Sequence, residues 1–157
     1  MNGNIRPVVP EDLPDLKVVI KANDLFPEDM LDDLTLDYFQ GKNKSELWFT
    51  YEDKYEDEKS IAIAYCAPEK MTEGTWNLYL IAVHPNYQRH GIGTAILSYI
   101  EQKLALQGER VLLVETSGLE SFEGTRAFYR KRGYEQEARI REFYQAGEDK
   151  IIFRKSF

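Results

Sequence analysis

Between Ala82 and Leu97 the chain reads AVHPNYQRHGIGTAIL, and the residues in its middle have the chemistry to bind an anion. Gln88, Arg89 and His90 precede Gly91 and Gly93, where an apolar strand pattern gives way to a helical one. Three glycine-loop chemistries compete for such a junction. A P-loop ends in Gly-Lys-Ser/Thr, so that lysine and hydroxyl reach phosphate and magnesium. Here Gly93 runs directly into Thr94 with no lysine, and that reading fails. A dinucleotide fingerprint needs a third small residue where this chain has Ile96, and it belongs near the start of a βαβ unit. The third chemistry is a pyrophosphate cradle made of main chain. The first amides of a helix have no intrahelical partner and carry the positive end of its dipole. Glycines let an anion approach them, while Arg89 and His90 add side-chain donors. A tight turn using glycine only for its backbone angles is the competing explanation, and spacing alone leaves both open.

These residues need elements to position them. "IRPVV" reads as a first strand, and Leu13, Leu16, Val19 and Ile20 then fall on one helical stripe. A second short helix is expected from about Met30 to Gln40, stopped by Gly41. "ELWFTYE" and "KSIAIAYCA" read as an antiparallel hairpin around a charged turn. "TWNLYLIAV" is a further strand, ended by Pro85, which has no ladder donor. Ile92, Ile96, Tyr99, Ile100 and Leu104 recur at helical spacing, which predicts a helix to about Gln107 with Gly108 as its stop. "RVLLVET" is a continuous apolar run, as in a strand covered on both faces. "TRAFYRKR" is a short helix with cations in its last turn and Gly133 beyond. "YEQEARI" and "DKIIFRK" close the chain as strands separated by a loop, "REFYQAGE". The order β-α-α-β-β-β-α-β-α-β-β predicts a mixed α/β or α+β sheet carrying helices.

Composition narrows the function classes. At 157 residues, with no repeat or linker, a single domain over 1–157 is the simplest organisation. Cys66 is the one cysteine; in the run "IAIAYCA" it is expected to be an inert core thiol. The N-terminus has no apolar signal core and no stretch reaches membrane-span length, so a cytoplasmic location with no membrane partner is the expectation. A net charge of −7 argues against nucleic acid as a partner. Acidic residues crowd "PEDMLDDLTLD" and "YEDKYEDEKS". They read as solvated surface and a hairpin tip, or as a rim suited to a cationic substrate.

Gln88-x-x-Gly91-x-Gly93 between strand and helix resembles the acyl-CoA pyrophosphate loop of the GNAT superfamily, Arg/Gln-x-x-Gly-x-Gly/Ala. A second signature follows, since "TRAFYRKRGY" supplies Phe128-Tyr129 and then Gly133-Tyr134. The element order is also that of the family, so the resemblance covers nearly the whole chain. It implies a mixed, mostly antiparallel sheet of six to seven strands with about four helices, and a strand splay at the acyl-CoA site. It implies acetyl-CoA as co-substrate, no metal, and pairing of the pantetheine arm with the main chain of Ile81 and Val83. The pyrophosphate is then expected on Gln88, Arg89, His90, Gly91, Ile92, Gly93 and Thr94. Tyr129 matches the family tyrosine that lies near the sulfur and protonates the departing thiolate; a phenol is protonated at neutral pH and able to donate.

Two positions depart from the family pattern. Where many members place a glutamate on the strand before the loop, this chain has Asn77 and Tyr79, and Glu115 at the end of "VLLVET" is the substitute general base. His84, followed by Pro85, reads as a turn element. Relatives often carry Asn seven positions before the tyrosine, where this chain has Phe122. Tyr79, Glu115 and Tyr144 are the expected acceptor-side residues, with Phe143 beside them in the last loop. The function implied is transfer of an acetyl group from acetyl-CoA directly to a primary amine of a small molecule or a protein. A non-catalytic acyl-CoA sensor of the same fold is the alternative. A homodimer is compatible with the sequence and not specified by it.

Overall fold

Where apolar residues alternate or recur at three and four, the chain forms the strands and helices those periods require. The computed structural model describes residues 3–55 and 57–157. Along them run β1 (Gly3–Pro7), α1 (Leu13–Ala22), α2 (Met30–Phe39), β2 (Leu47–Asp53), β3 (Lys59–Pro68) and β4 (Thr75–Val83). Then follow α3 (Ile92–Leu106), β5 (Val111–Ser117), α4 (Glu123–Lys131), β6 (Glu135–Gln145) and β7 (Glu148–Ser156). The strands form one sheet in the order β1-β2-β3-β4-β5-β7-β6. β4 and β5 pair in parallel, joined by the α3 crossover, whereas β1/β2, β2/β3, β5/β7 and β6/β7 are antiparallel. This is the mixed, mostly antiparallel sheet with four helices that the resemblance implied.

The chain divides into two compact units, one holding the residues up to Ala67 together with Leu80–Lys103, the other Pro68–Tyr79 and Leu104–Phe157. In the first unit, the α1 stripe of Leu16, Val19 and Ile20 is buried among Val8, Leu31, Trp48, Ile63 and Ala82. Each such side chain contributes roughly 1.5–3 kcal/mol. Trp48 stacks on Tyr65 with ring centroids 4.1 Å apart. Cys66, which follows Tyr65 and points to the opposite face of the sheet, is fully buried, and burial pushes its thiol up to about 12.

A buried carboxylate sets the entry to α1. Asp12 accepts two bonds from the Arg6 guanidinium, both 2.8 Å, one from the Val9 amide at 2.9 Å and one from the Ser60 hydroxyl at 3.2 Å. Burial alone would raise the Asp12 carboxyl; Arg6 and the other donors outweigh it and hold it below its ordinary range.

The second unit is built on Leu112 and Val114 of β5 and Ile151 and Phe153 of β7, with the α4 side chain Tyr129 against Phe153. Arg126 fastens the turn before α4, donating to the Ser117 and Leu119 carbonyls at 2.7 and 2.8 Å. That turn is one 3-10 turn, Glu120–Phe122, and α4 starts at Glu123, two residues before the expected Thr125.

The expected loop after Ile140 is strand instead. β6 continues to Gln145, leaving Ala146 and Gly147 as the turn. Its residues are exposed or half-exposed throughout, so no apolar alternation marks it; the pairing comes from β7. The register is interrupted between Ile140 and Gln145, where Glu142 adopts a left-handed φ of 53°. The Asp149 carboxylate accepts the Glu142 amide at 2.8 Å, satisfying a donor that the bulge removes from the ladder.

Candidate active site

The turn expected to bind an anion follows the end of β4. Its ladder with β5 runs from Thr75 to Leu78, and the strand then continues to Val83. The Val83 carbonyl accepts Asn23 Nδ2 at 3.1 Å and Gln88 Nε2 at 3.0 Å, and Gln88 Nε2 also reaches Asn23 Oδ1 at 3.1 Å. The Gln88 side chain therefore ties the start of the loop to the end of the strand and to the end of α1. Asn23 escaped sequence reasoning because nothing in its neighbours announces a bond 60 residues away. His84 Nδ1 accepts the Asn86 amide at 3.1 Å and opens the 3-10 turn Pro85–Tyr87, the structural role its Pro neighbour suggested.

Beyond Gln88 the backbone turns sharply. Arg89 has φ 66° and Gly91 has φ 80°. A left-handed arginine costs roughly 1–2 kcal/mol and persists only where its surroundings over-determine it, as at ligand clamps. A Cβ on Gly91 would meet nothing within 4 Å, so glycine there answers to φ, and the space above it is open. The Ala95 amide reaches the Gly91 carbonyl at 2.9 Å. The amides of Ile92 and Gly93 therefore precede the first helical hydrogen bond and have no intrahelical acceptor. The Ile92 side chain, 2% exposed, anchors this turn, whereas Arg89, His90 and Gly91 are exposed and Gly93 and Thr94 half-exposed. Ile81 and Val83 are half-buried.

The residues expected on the acceptor side lie in the second unit, where Tyr79 and Glu115 meet through two residues that sequence reasoning did not assign. Asn77 Nδ2 donates to Glu69 Oε1 at 2.9 Å and to Glu115 Oε1 at 2.8 Å. The Tyr79 hydroxyl donates to Glu69 Oε1 at 2.8 Å, and Lys150 Nζ pairs with Glu115 Oε2 at 2.9 Å. Burial first, and then the Glu69 carboxylate, push the Tyr79 phenol up to about 12. The β6 bulge places the Phe143 ring 3.6 Å from Lys150 Nζ, a cation–π contact. Tyr144 is raised by burial and by Glu115 and Glu148. The available signal was the pair Asn77 and Tyr79 themselves, two polar residues sharing one face of an otherwise apolar strand.

Tyr129 lies on α4. It is 3% exposed and packs edge-on against Tyr134, with centroids 5.7 Å apart. Burial raises its phenol well above the ordinary tyrosine value, so it is protonated across the neutral range. Phe122 is 37% exposed in the 3-10 turn before α4. Among the described residues no group of three or more His, Cys, Asp or Glu is arranged to hold a metal ion.

The strand order and the glycine turn that opens the helix after β4 are those the resemblance implied, and comparison with known proteins defines the class. A family model described as an acetyltransferase (GNAT) domain matches residues 43–136, which include both motifs. A GNAT-family protein from Desulfovibrio desulfuricans is 32% identical over 99% of each chain, with a TM-score of 0.89. The ribosomal-protein-S18-alanine N-acetyltransferase of Escherichia coli is similar in fold, at 23% identity, 99% and 94% coverage and a TM-score of 0.78. So is an aminoglycoside 6'-N-acetyltransferase complexed with coenzyme A, at 16% identity, 98% and 96% coverage and a TM-score of 0.77. No curated protein sequence matches significantly. The chain belongs to the GNAT acetyltransferase family, and it is an acyltransferase enzyme.

Proposed function

We propose that this enzyme acetylates a primary amine, with acetyl-CoA as the donor. The observation that carries the reading is the first turn of α3, where Arg89 and Gly91 are left-handed and the Ile92 and Gly93 amides precede the first helical hydrogen bond. That turn fits a pyrophosphate: orphan donors, the helix dipole and the Arg89 charge favour an anion there. The segment from Gln88 to Thr94 would hold it, and Ile81 and Val83 would offer main chain to the pantetheine arm. Bound acetyl-CoA supplies an activated thioester.

The chain's own residues then manage protons. Glu115, oriented by Asn77 and Lys150, receives the proton of the acceptor ammonium, directly or through one water. Tyr129 holds a phenolic proton at neutral pH and is the donor to the leaving group. Tyr79 and Tyr144 flank the acceptor on the Glu115 side. The test is calorimetric titration with acetyl-CoA, followed by a panel of amines assayed for thiol release. Binding with thiol release is expected. Binding with no thiol release from any amine would leave a cofactor-binding module, and no heat would overturn the assignment of the loop.

A further inference from the structure

The polar cluster around Asn77 is one positive charge short. Glu69 and Glu115 bring two carboxylates, and only Lys150 brings a cation, paired with Glu115 at 2.9 Å. Glu69 receives two neutral donors, the Asn77 amide and the Tyr79 hydroxyl, both on Oε1. The Tyr79 phenol, pushed up to about 12, stays a donor near pH 7 and adds no charge. Asn77 is 1% exposed, gives its amide hydrogens to the two glutamates, and leaves Oδ1 buried without a hydrogen-bond partner among the described residues. A buried orphan acceptor costs roughly 1–3 kcal/mol, and a half-buried carboxylate without a cation adds to that. The Glu69 deficit, at a carboxylate that is half-exposed, calls for a cation rich in N–H donors. Among the described residues the one Lys or Arg paired in this cluster is Lys150, and it is taken by Glu115.

We propose that Glu69, Asn77 and Tyr79 form a binding site for a primary ammonium group, and that the acceptor is a short aliphatic diamine. This deepens the acetyl-transfer reading and rests on it for its functional meaning. The nitrogen that attacks a thioester must first lose its proton, so the attacking amine cannot be the cation that balances Glu69. A second amine on the same molecule does so. Its spacing is short because both glutamates share one amide nitrogen, at 2.9 and 2.8 Å. An acceptor with one amine fills the Glu115 side and leaves Glu69 uncompensated.

The experiment follows the side-chain amide resonances of Asn77 by NMR while the 157-residue protein is titrated with 1,4-diaminobutane or with butylamine. Saturable shifts with the diamine are expected, with butylamine binding about tenfold or more weaker. Glu69→Gln should weaken the diamine by about tenfold or more, and Glu69→Asp, which keeps the charge, should restore most of the affinity. No saturable shift, equal affinity for the two amines, or unchanged affinity in a folded Glu69→Gln overturns the proposal. If Glu69→Gln does not fold, the comparison of diamine with monoamine in the wild type decides alone. Parallel thiol-release assays separate the two readings. Diamine binding without turnover of any amine removes acetyl transfer and keeps this site. Turnover indifferent to Glu69→Gln does the reverse.

Discussion

Tyr129, the proposed proton donor, is also a packing residue. The aromatic packing against Phe128, Tyr134 and Phe153 that buries the ring is also what raises the phenol, because burial penalises the phenolate. Removing only the oxygen separates the roles. Tyr129→Phe keeps the apolar ring and should leave acetyl-CoA affinity within about twofold of wild type, while kcat falls about tenfold or more through loss of the proton donor. Steady-state kinetics beside calorimetry checks this, and normal turnover would remove Tyr129 from the chemistry. Glu115 is different, since its place depends on others. Asn77 and Lys150 hold both of its oxygens, so the proposed general base rests on three residues.

Two local backbone devices carry the site at the level of elements. At Gly91 the φ of 80° is the whole requirement, because a Cβ would clash with nothing. Gly91→Ala should therefore cost only about 1–2 kcal/mol in stability while raising the KM for acetyl-CoA about tenfold, as the turn relaxes and its amides rotate away. Thermal melts and kinetics on the same preparation test both halves. At the β6 bulge, Asp149 holds the Glu142 amide and pairs with Arg139. Asp149→Ala should free the bulge and lift Phe143 from Lys150, raising KM for the acceptor while KM for acetyl-CoA stays put. Equal changes in both would mean general unfolding instead.

These two devices also mark where the sequence was readable. The run from Ala82 to Leu97 announced its turn, because glycine spacing and the apolar period of α3 are local signals, and α3 begins at Ile92 as that period requires. The α1 stripe was legible for the same reason. β6 was not. A strand rich in Glu, Gln and Arg with no buried face carries no period of its own, and its partner β7 supplies the order. Glu69 was missed likewise: it is one charge at the end of β3 until Asn77, eight residues on, brings it beside Glu115.

For the whole molecule, protonation sets the pH window of stability. The Asp12 carboxyl lies below its ordinary value in the fold, so its stabilisation is complete above the unfolded value near 4 and disappears as pH falls through the folded one. Tyr129 acts in the opposite sense. Its raised phenol leaves stability intact below an unfolded value of about 10 and lost as pH climbs beyond it. Denaturant melts should give a plateau between roughly pH 5 and 9, with an acid limb reduced in Asp12→Asn and an alkaline limb reduced in Tyr129→Phe. An acid limb identical in Asp12→Asn would show that the Arg6–Asp12 pair does not govern it.

The sealing of Cys66 inside β3 has a practical result. The chain's single sulfhydryl is both inaccessible and reluctant to ionise, so a chromogenic disulfide reagent added to the native enzyme reacts with liberated coenzyme A against almost no protein background. Turnover can thus be followed continuously in one cuvette. A cysteine introduced on the exposed side of the Gln88–Thr94 turn would become the sole point of attachment for a fluorophore that reports loading of the donor.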